Sequence, residues 1–173
     1  MGDVLIRHAG YDEDFFLWTQ EQAQALRAMR HDGSNSPLDW ENIAEEIESL
    51  GKSDRRRCES LVGMILLHML KCQYWPSEEP LRHWREEVRN FRRQLAKVLR
   101  DSPSLKARLK EFIEGEWREA VGDALSACQE FLAICKRLDQ VARSSQVGFS
   151  AEEVMNSDYF PHRIALTMDS VPP

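Results

Sequence analysis

His68 is the side chain in this sequence with the clearest capacity for chemistry. An imidazole titrates near neutrality, so it can serve as a general base or a metal ligand. It stands in the middle of the most apolar stretch, LVGMILLHMLKCQYW, with Lys71 one turn further on. A buried imidazole needs a hydrogen-bond partner. Asp39, Glu45 and Glu46, from the acidic stretch LDWENIAEEIESLG, can supply one if the two stretches pack together as helices. His68 with Glu45 and Glu46 is therefore the candidate catalytic constellation, that of a metal-dependent hydrolase. The plainer reading makes His68 a core histidine tied to a single carboxylate.

Other reaction signatures are incomplete. Glu41, Glu45 and Glu48 put carboxylates on one helical flank, as helical carboxylate sites do. The Glu-x-x-His spacing of di-iron bundles is missing, and so is HExxH. Glu45-x-x-Glu48 matches the first half of the magnesium motif of all-helical nucleotide pyrophosphohydrolases, but residues 52–80 hold no Glu-x-x-Asp to complete it. There is no Gly-rich phosphate loop and no GxSxG elbow, and Ser53 and Ser60 have no histidine at a telling spacing. No metal and no cofactor is expected. Cys58, Cys72, Cys128 and Cys135 form no CxxC pair. All four fall in apolar helical patterns and are expected as buried, reduced thiols.

The second candidate is a binding surface. Residues 81–100, LRHWREEVRNFRRQLAKVLR, carry Arg82, Arg85, Arg89, Arg92, Arg93, Lys97 and Arg100 against Glu86 and Glu87. These arginines are placed on the outer surface of a helix, where they can meet phosphate backbone, the acidic helix or an acidic partner. Trp84 and Phe91 lie on the apolar stripe of that helix and point inward, so they do not stack bases. The formal net charge of the whole chain is −6, which argues against a general nucleic-acid coat. The favoured partner is another protein or a second copy of this chain. For Tyr74, Trp75 and Pro76 packing is the favoured reading; the alternative is an aromatic knob at a helix end that suits partner recognition.

These residues must be positioned by helices. Hydrophobic residues make up 42% and charged ones 30% of 173 residues, the balance of a soluble globular chain with one sizeable core. No run of eighteen apolar residues occurs, and the start of the chain lacks a signal-peptide layout, so a cytoplasmic location is expected. The first helix runs from about Tyr11 to Met29, with Asp12 as its cap. His31 to Pro37 is a loop by composition. The acidic helix follows over 39–50, capped by Asp39, with Trp40, Ile43, Ile47 and Leu50 as its stripe. Gly51 is expected to end it in the left-handed conformation. A third helix, 53–74, is apolar nearly all round and should be central. The arginine-rich helix occupies 81–100. Ser102-Pro103 opens another, which continues to about Val141 with a kink or break near Gly122. Ser144 to Gly148 is a loop, and Ser150-Ala151-Glu152-Glu153 reads as a capping box for a short last helix. Pro161 begins an extended tail. No strand-like alternation and no internal repeat is found. The expected fold is all-α: a single-domain irregular bundle of five or six helices spanning 1–173.

Several blocks carry a family resemblance: YDEDFFLWTQEQAQALR, LDWENIAEEIESLGKSDRRRCES, LLHMLKCQYWP, WREEVRNFRRQL, LRDSPSLKARL and SAEEVMNSDYFP. Together they resemble domain-of-unknown-function family twenty-nine, a bacterial family common in cyanobacteria and proteobacteria. The resemblance is strongest over residues 11–125 and weaker over 149–161. It implies a small, all-helical intracellular protein and brings no catalytic residues with it. Residues 127–147, a longer helical segment, and the tail after Pro161 stand apart from the family pattern. With no reaction motif in the chain, the reading is a non-enzymatic interaction or regulatory module. The alternatives are the hydrolase and a nucleic-acid-backbone binder.

Overall fold

The computed structural model describes residues 9–30, 37–75, 77–128, 131–144 and 146–164. Residues 31–36 of the expected His31–Pro37 loop and the end of the tail, 165–173, lie outside those residues. Among the described residues, six α-helices follow one another: α1 Phe15–Arg30, α2 Trp40–Tyr74, α3 Leu81–Asp101, α4 Leu109–Ala127, α5 Leu132–Arg143 and α6 Ala151–Met155, with a 3-10 helix at Pro103–Arg108. The fold is all-α, and no strand occurs among the described residues. None of their helices is long and apolar enough to cross a membrane. Packing divides the chain into two compact units: residues 1–58 with 97–108, and residues 59–96 with 109–173.

In the first unit, α1 starts later than the sequence suggests. The amides of Glu13 and Asp14 both donate to the Gly10 carbonyl, closing a turn before the helix. Asp14, not Asp12, then caps it, its Oδ1 accepting from the Leu17 amide at 2.9 Å. The same carboxylate accepts from the amide and hydroxyl of Ser104, which ties α1 to the 3-10 helix. Asp39 caps α2 as expected, accepting from the Asn42 amide.

Gly51 does not end the acidic helix. The expected helices 39–50 and 53–74 are one helix, α2. Gly51 is buried, and a Cβ there would collide with Oγ1 of Thr19, itself fully buried in α1. The glycine thus serves close approach rather than chain reversal. Past it, Lys52 pairs back to Glu48 at 3.0 Å, and Arg27 of α1 bridges Glu41 and Glu48. The hydrogen bond from Arg27 holds the Glu48 carboxyl below its ordinary range.

In the second unit, the apolar half of α2 is central, as its pattern predicts. Leu61, Val62, Ile65, Leu66, Met69 and Leu70 are all buried. α4 continues through Gly115 and Gly122 without the break expected near Gly122 and ends at Ala127, and α5 begins at Leu132. A glycine lowers helix propensity by only about 1 kcal/mol, and the packing of Phe112, Ile113, Trp117, Val121 and Ala124 outweighs that. The capping box of α6 is present: the Glu153 amide donates to Ser150 Oγ, and the Ser150 amide donates to Glu153 Oε2 at 2.8 Å.

Glu116 of α4 makes a pH-dependent contribution in this unit. It faces Gly63 of α2, and burial, then the nearby Glu119 and Glu59, push its carboxyl above the ordinary range. A raised carboxyl contributes stability fully below its unfolded value and loses it as pH rises through its folded value. Glu116→Gln is therefore expected to raise the midpoint of thermal unfolding at pH 7 and to leave it unchanged in acid, below the unfolded carboxyl range. Thermal scans at the two pH values check this.

Candidate functional site

His68 is buried at 5% exposure, and both of its ring nitrogens are occupied. Nδ1 lies 2.8 Å from the Met64 carbonyl oxygen, which can only accept, so Nδ1 carries a hydrogen. Nε2 lies 2.7 Å from Oε2 of Glu87 on α3. The Phe91 ring covers the imidazole at 5.5 Å, and His83 approaches the same Glu87 oxygen at 3.5 Å. The carboxylate partner is thus Glu87 of the arginine-rich helix, not Asp39, Glu45 or Glu46. Glu45 and Glu46 are exposed in the first unit, about six turns back along the same helix as His68. Local helical geometry does not bring them together. Among the described residues, no group of three His, Cys, Asp or Glu side chains is placed to hold a metal ion.

The arginine-rich helix builds a more developed site. Arg82, Arg85 and Arg89 recur on one face of α3 and, with Arg163, Leu81, Glu78 and Glu86, line a groove of about 490 Å³. Glu78 pairs with Arg163 at 3.2 Å, and Glu86 sits 3.8 Å from Arg82. Among the described residues, Arg85 and Arg89 have no carboxylate partner. Both instead lie over the Phe160 ring, at 5.7 and 5.0 Å from its centroid. Cation–π contact of this kind suits guanidinium planes well.

Arg92 completes the cluster from beneath, 5.4 Å from the same ring centroid. The expectation that it lies on the outer surface is overturned: it is buried at 4% exposure. Its guanidinium donates to three carbonyls, those of Val154, Glu153 and Tyr159, each at 2.8 Å, and approaches Met69 Sδ at 3.6 Å. Burial, and then the neighbouring Arg89, lower its pKa. The reason for its position is local. The last carbonyls of a helix have no partner within it, and five-residue α6 is far too short to persist unaided. Arg92 satisfies that helix end and so sets Phe160 against Arg85 and Arg89. The tail is tied down again where the Ile164 amide donates to the Gln73 carbonyl.

The other two arginines of the sequence-based set lie elsewhere. Arg93 is exposed and donates to Asn90 Oδ1, and Arg100 belongs to the first unit, beside Asp101. Sequence reasoning missed Phe160, Arg163 and Glu87. The only pointer to Phe160 was its place in the block SAEEVMNSDYFP.

The profile of a family described as Domain of unknown function DUF29 matches residues 11–160. The chain belongs to that family. The DUF29 match spans residues 127–147, the segment whose sequence stands apart from the quoted blocks. The chain is also similar to a solved alpha-helical protein of unknown function from Rhodospirillum rubrum, at 28% identity and a TM-score of 0.66, over 88% of this chain and 92% of that one. No curated protein matches this DUF29 chain significantly.

Proposed function

We propose that this chain is a non-enzymatic, cytoplasmic bacterial interaction module whose α3 groove receives an acidic segment of a partner protein. The observation that carries this reading is the convergence of Arg85 and Arg89, without carboxylate partners among the described residues, around Phe160 above the buried Arg92. Guanidinium groups held on an aromatic ring are pre-oriented, so little side-chain freedom is lost when a carboxylate docks. The groove's four arginines outnumber its two glutamates, which leaves it cationic in a chain of net charge −6. That confined positive site suits a short acidic peptide better than a continuous phosphate backbone, which needs a longer basic track.

The test is binding of a fluorescent poly-glutamate peptide, with a single-stranded oligonucleotide as competitor. The wild-type chain is expected to bind the peptide with an affinity that falls as salt rises. Arg85→Glu/Arg89→Glu is expected to lose at least about tenfold, or ~1.4 kcal/mol. Equal peptide binding by both proteins would refute the proposal, and tighter binding of the oligonucleotide would transfer the groove to nucleic acid.

A further inference from the structure

Cys128 and Cys135 are the side chains that neither the groove nor the core requires as thiols. Cys128 follows the last residue of α4, and Cys135 lies in the first turn of α5. The Phe131 amide donates to the Cys128 carbonyl and the Cys135 amide to the Phe131 carbonyl, which holds Cys128 close to the start of α5. The two Sγ atoms come to 2.9 Å, and the Cys135 thiol also donates to the Cys128 carbonyl at 2.9 Å. Cys128 is fully buried, whereas Cys135 is partly open to solvent. Cys58 and Cys72 are sealed within α2, at 0% and 2% exposure.

We infer that Cys128 and Cys135 are a peroxide-reactive dithiol that closes to an intramolecular disulfide, with Cys135 attacked first and Cys128 resolving. The chemistry follows from exposure and distance. The Cys135 sulfur attacks one oxygen of a hydroperoxide, the O–O bond breaks, and the second oxygen leaves as water or an alcohol. Cys135 is then a sulfenic acid. The Cys128 sulfur attacks it, the S–S bond forms, and the S–O bond breaks with loss of water. Two thiols are oxidised and one peroxide is reduced, so electrons and atoms balance. Closure needs only a small adjustment, because the sulfurs already face each other and the disulfide bond length is about 2.05 Å. The product pins the start of α5 to the end of α4.

The test uses the full chain, native, treated with hydrogen peroxide and then alkylated. Intact mass is expected to fall by two hydrogens per chain, and to return with dithiothreitol. Peptide mapping is expected to find Cys128 joined to Cys135, with Cys58 and Cys72 alkylated only after unfolding. In Cys128→Ala, dimedone is expected to trap a sulfenic acid on Cys135. Unchanged mass in the wild-type chain would overturn the inference, as would a cross-link through Cys58 or Cys72, or between chains. A sulfenic acid on Cys128 in Cys135→Ala, with none on Cys135 in Cys128→Ala, would overturn the assigned order.

Discussion

Arg92→Met is expected to cost about 3 kcal/mol or more of stability and to free the segment from α6 to Phe160. Replacing a buried ion together with its partner by apolar groups is often neutral, but here the partners are backbone carbonyls that remain. Three of them, on Glu153, Val154 and Tyr159, would lose the guanidinium. Each unsatisfied buried acceptor costs roughly 1–3 kcal/mol. Removing a desolvated charge returns part of this, which keeps the total nearer the lower end. Arg92→Lys keeps the charge yet presents one compact donor group, so it cannot span three acceptors and should also destabilise. Denaturant midpoints measure the loss, and amide exchange over 153–160 should accelerate in both variants. Native-like protection in Arg92→Met would show that α6 is held by other contacts.

The second large effect belongs to Gly51. Gly51→Leu is expected to destabilise the first unit by about 3 kcal/mol or more, since overpacking a tight core contact costs roughly 1–3 kcal/mol even for small insertions. The obstacle is Thr19, whose hydroxyl donates to the Phe16 carbonyl at 2.7 Å and is fully buried. Gly51→Ala sets a gain in helix propensity of up to ~1 kcal/mol against that collision, and the collision should win. Gly122→Ala is the control, because a Cβ at that position of α4 meets nothing within 4 Å. It should be stabilising, and urea unfolding of the three variants distinguishes steric cost from propensity. A neutral Gly51→Leu would mean that α1 gives way without penalty.

These two residues also mark how much was legible in the sequence. The helical fold was readable because its apolar stripes recur at three- and four-residue steps, and the central role of residues 61–70 followed from their apolar periphery. The capping box at Ser150 and Glu153 was readable because it is local. Gly51 was misread because a helix-ending glycine and a close-approach glycine look alike until the neighbouring helix is known. Arg92 was misread for a related reason. It stands four residues after Val88 and three before Leu95, at the edge of the stripe, but its acceptors are carbonyls some sixty residues away, at 153 and beyond. Backbone acceptors carry no residue-type signal. The same holds for the end of α4 at Ala127, where packing overrode the glycines that seemed to announce an earlier break. For the candidate site, the arginine face of α3 was visible, and its division into a groove, a buried clamp and unrelated surface residues was not.

The groove is best tested by nuclear magnetic resonance of the arginine Nε–Hε groups during titration with the poly-glutamate peptide. Arg85 and Arg89 are expected to shift first and furthest, Arg82 and Arg163 to follow, and Arg93 and Arg100 to stay in place. Uniform small shifts of all six, or none at Arg85 and Arg89, would contradict that expectation.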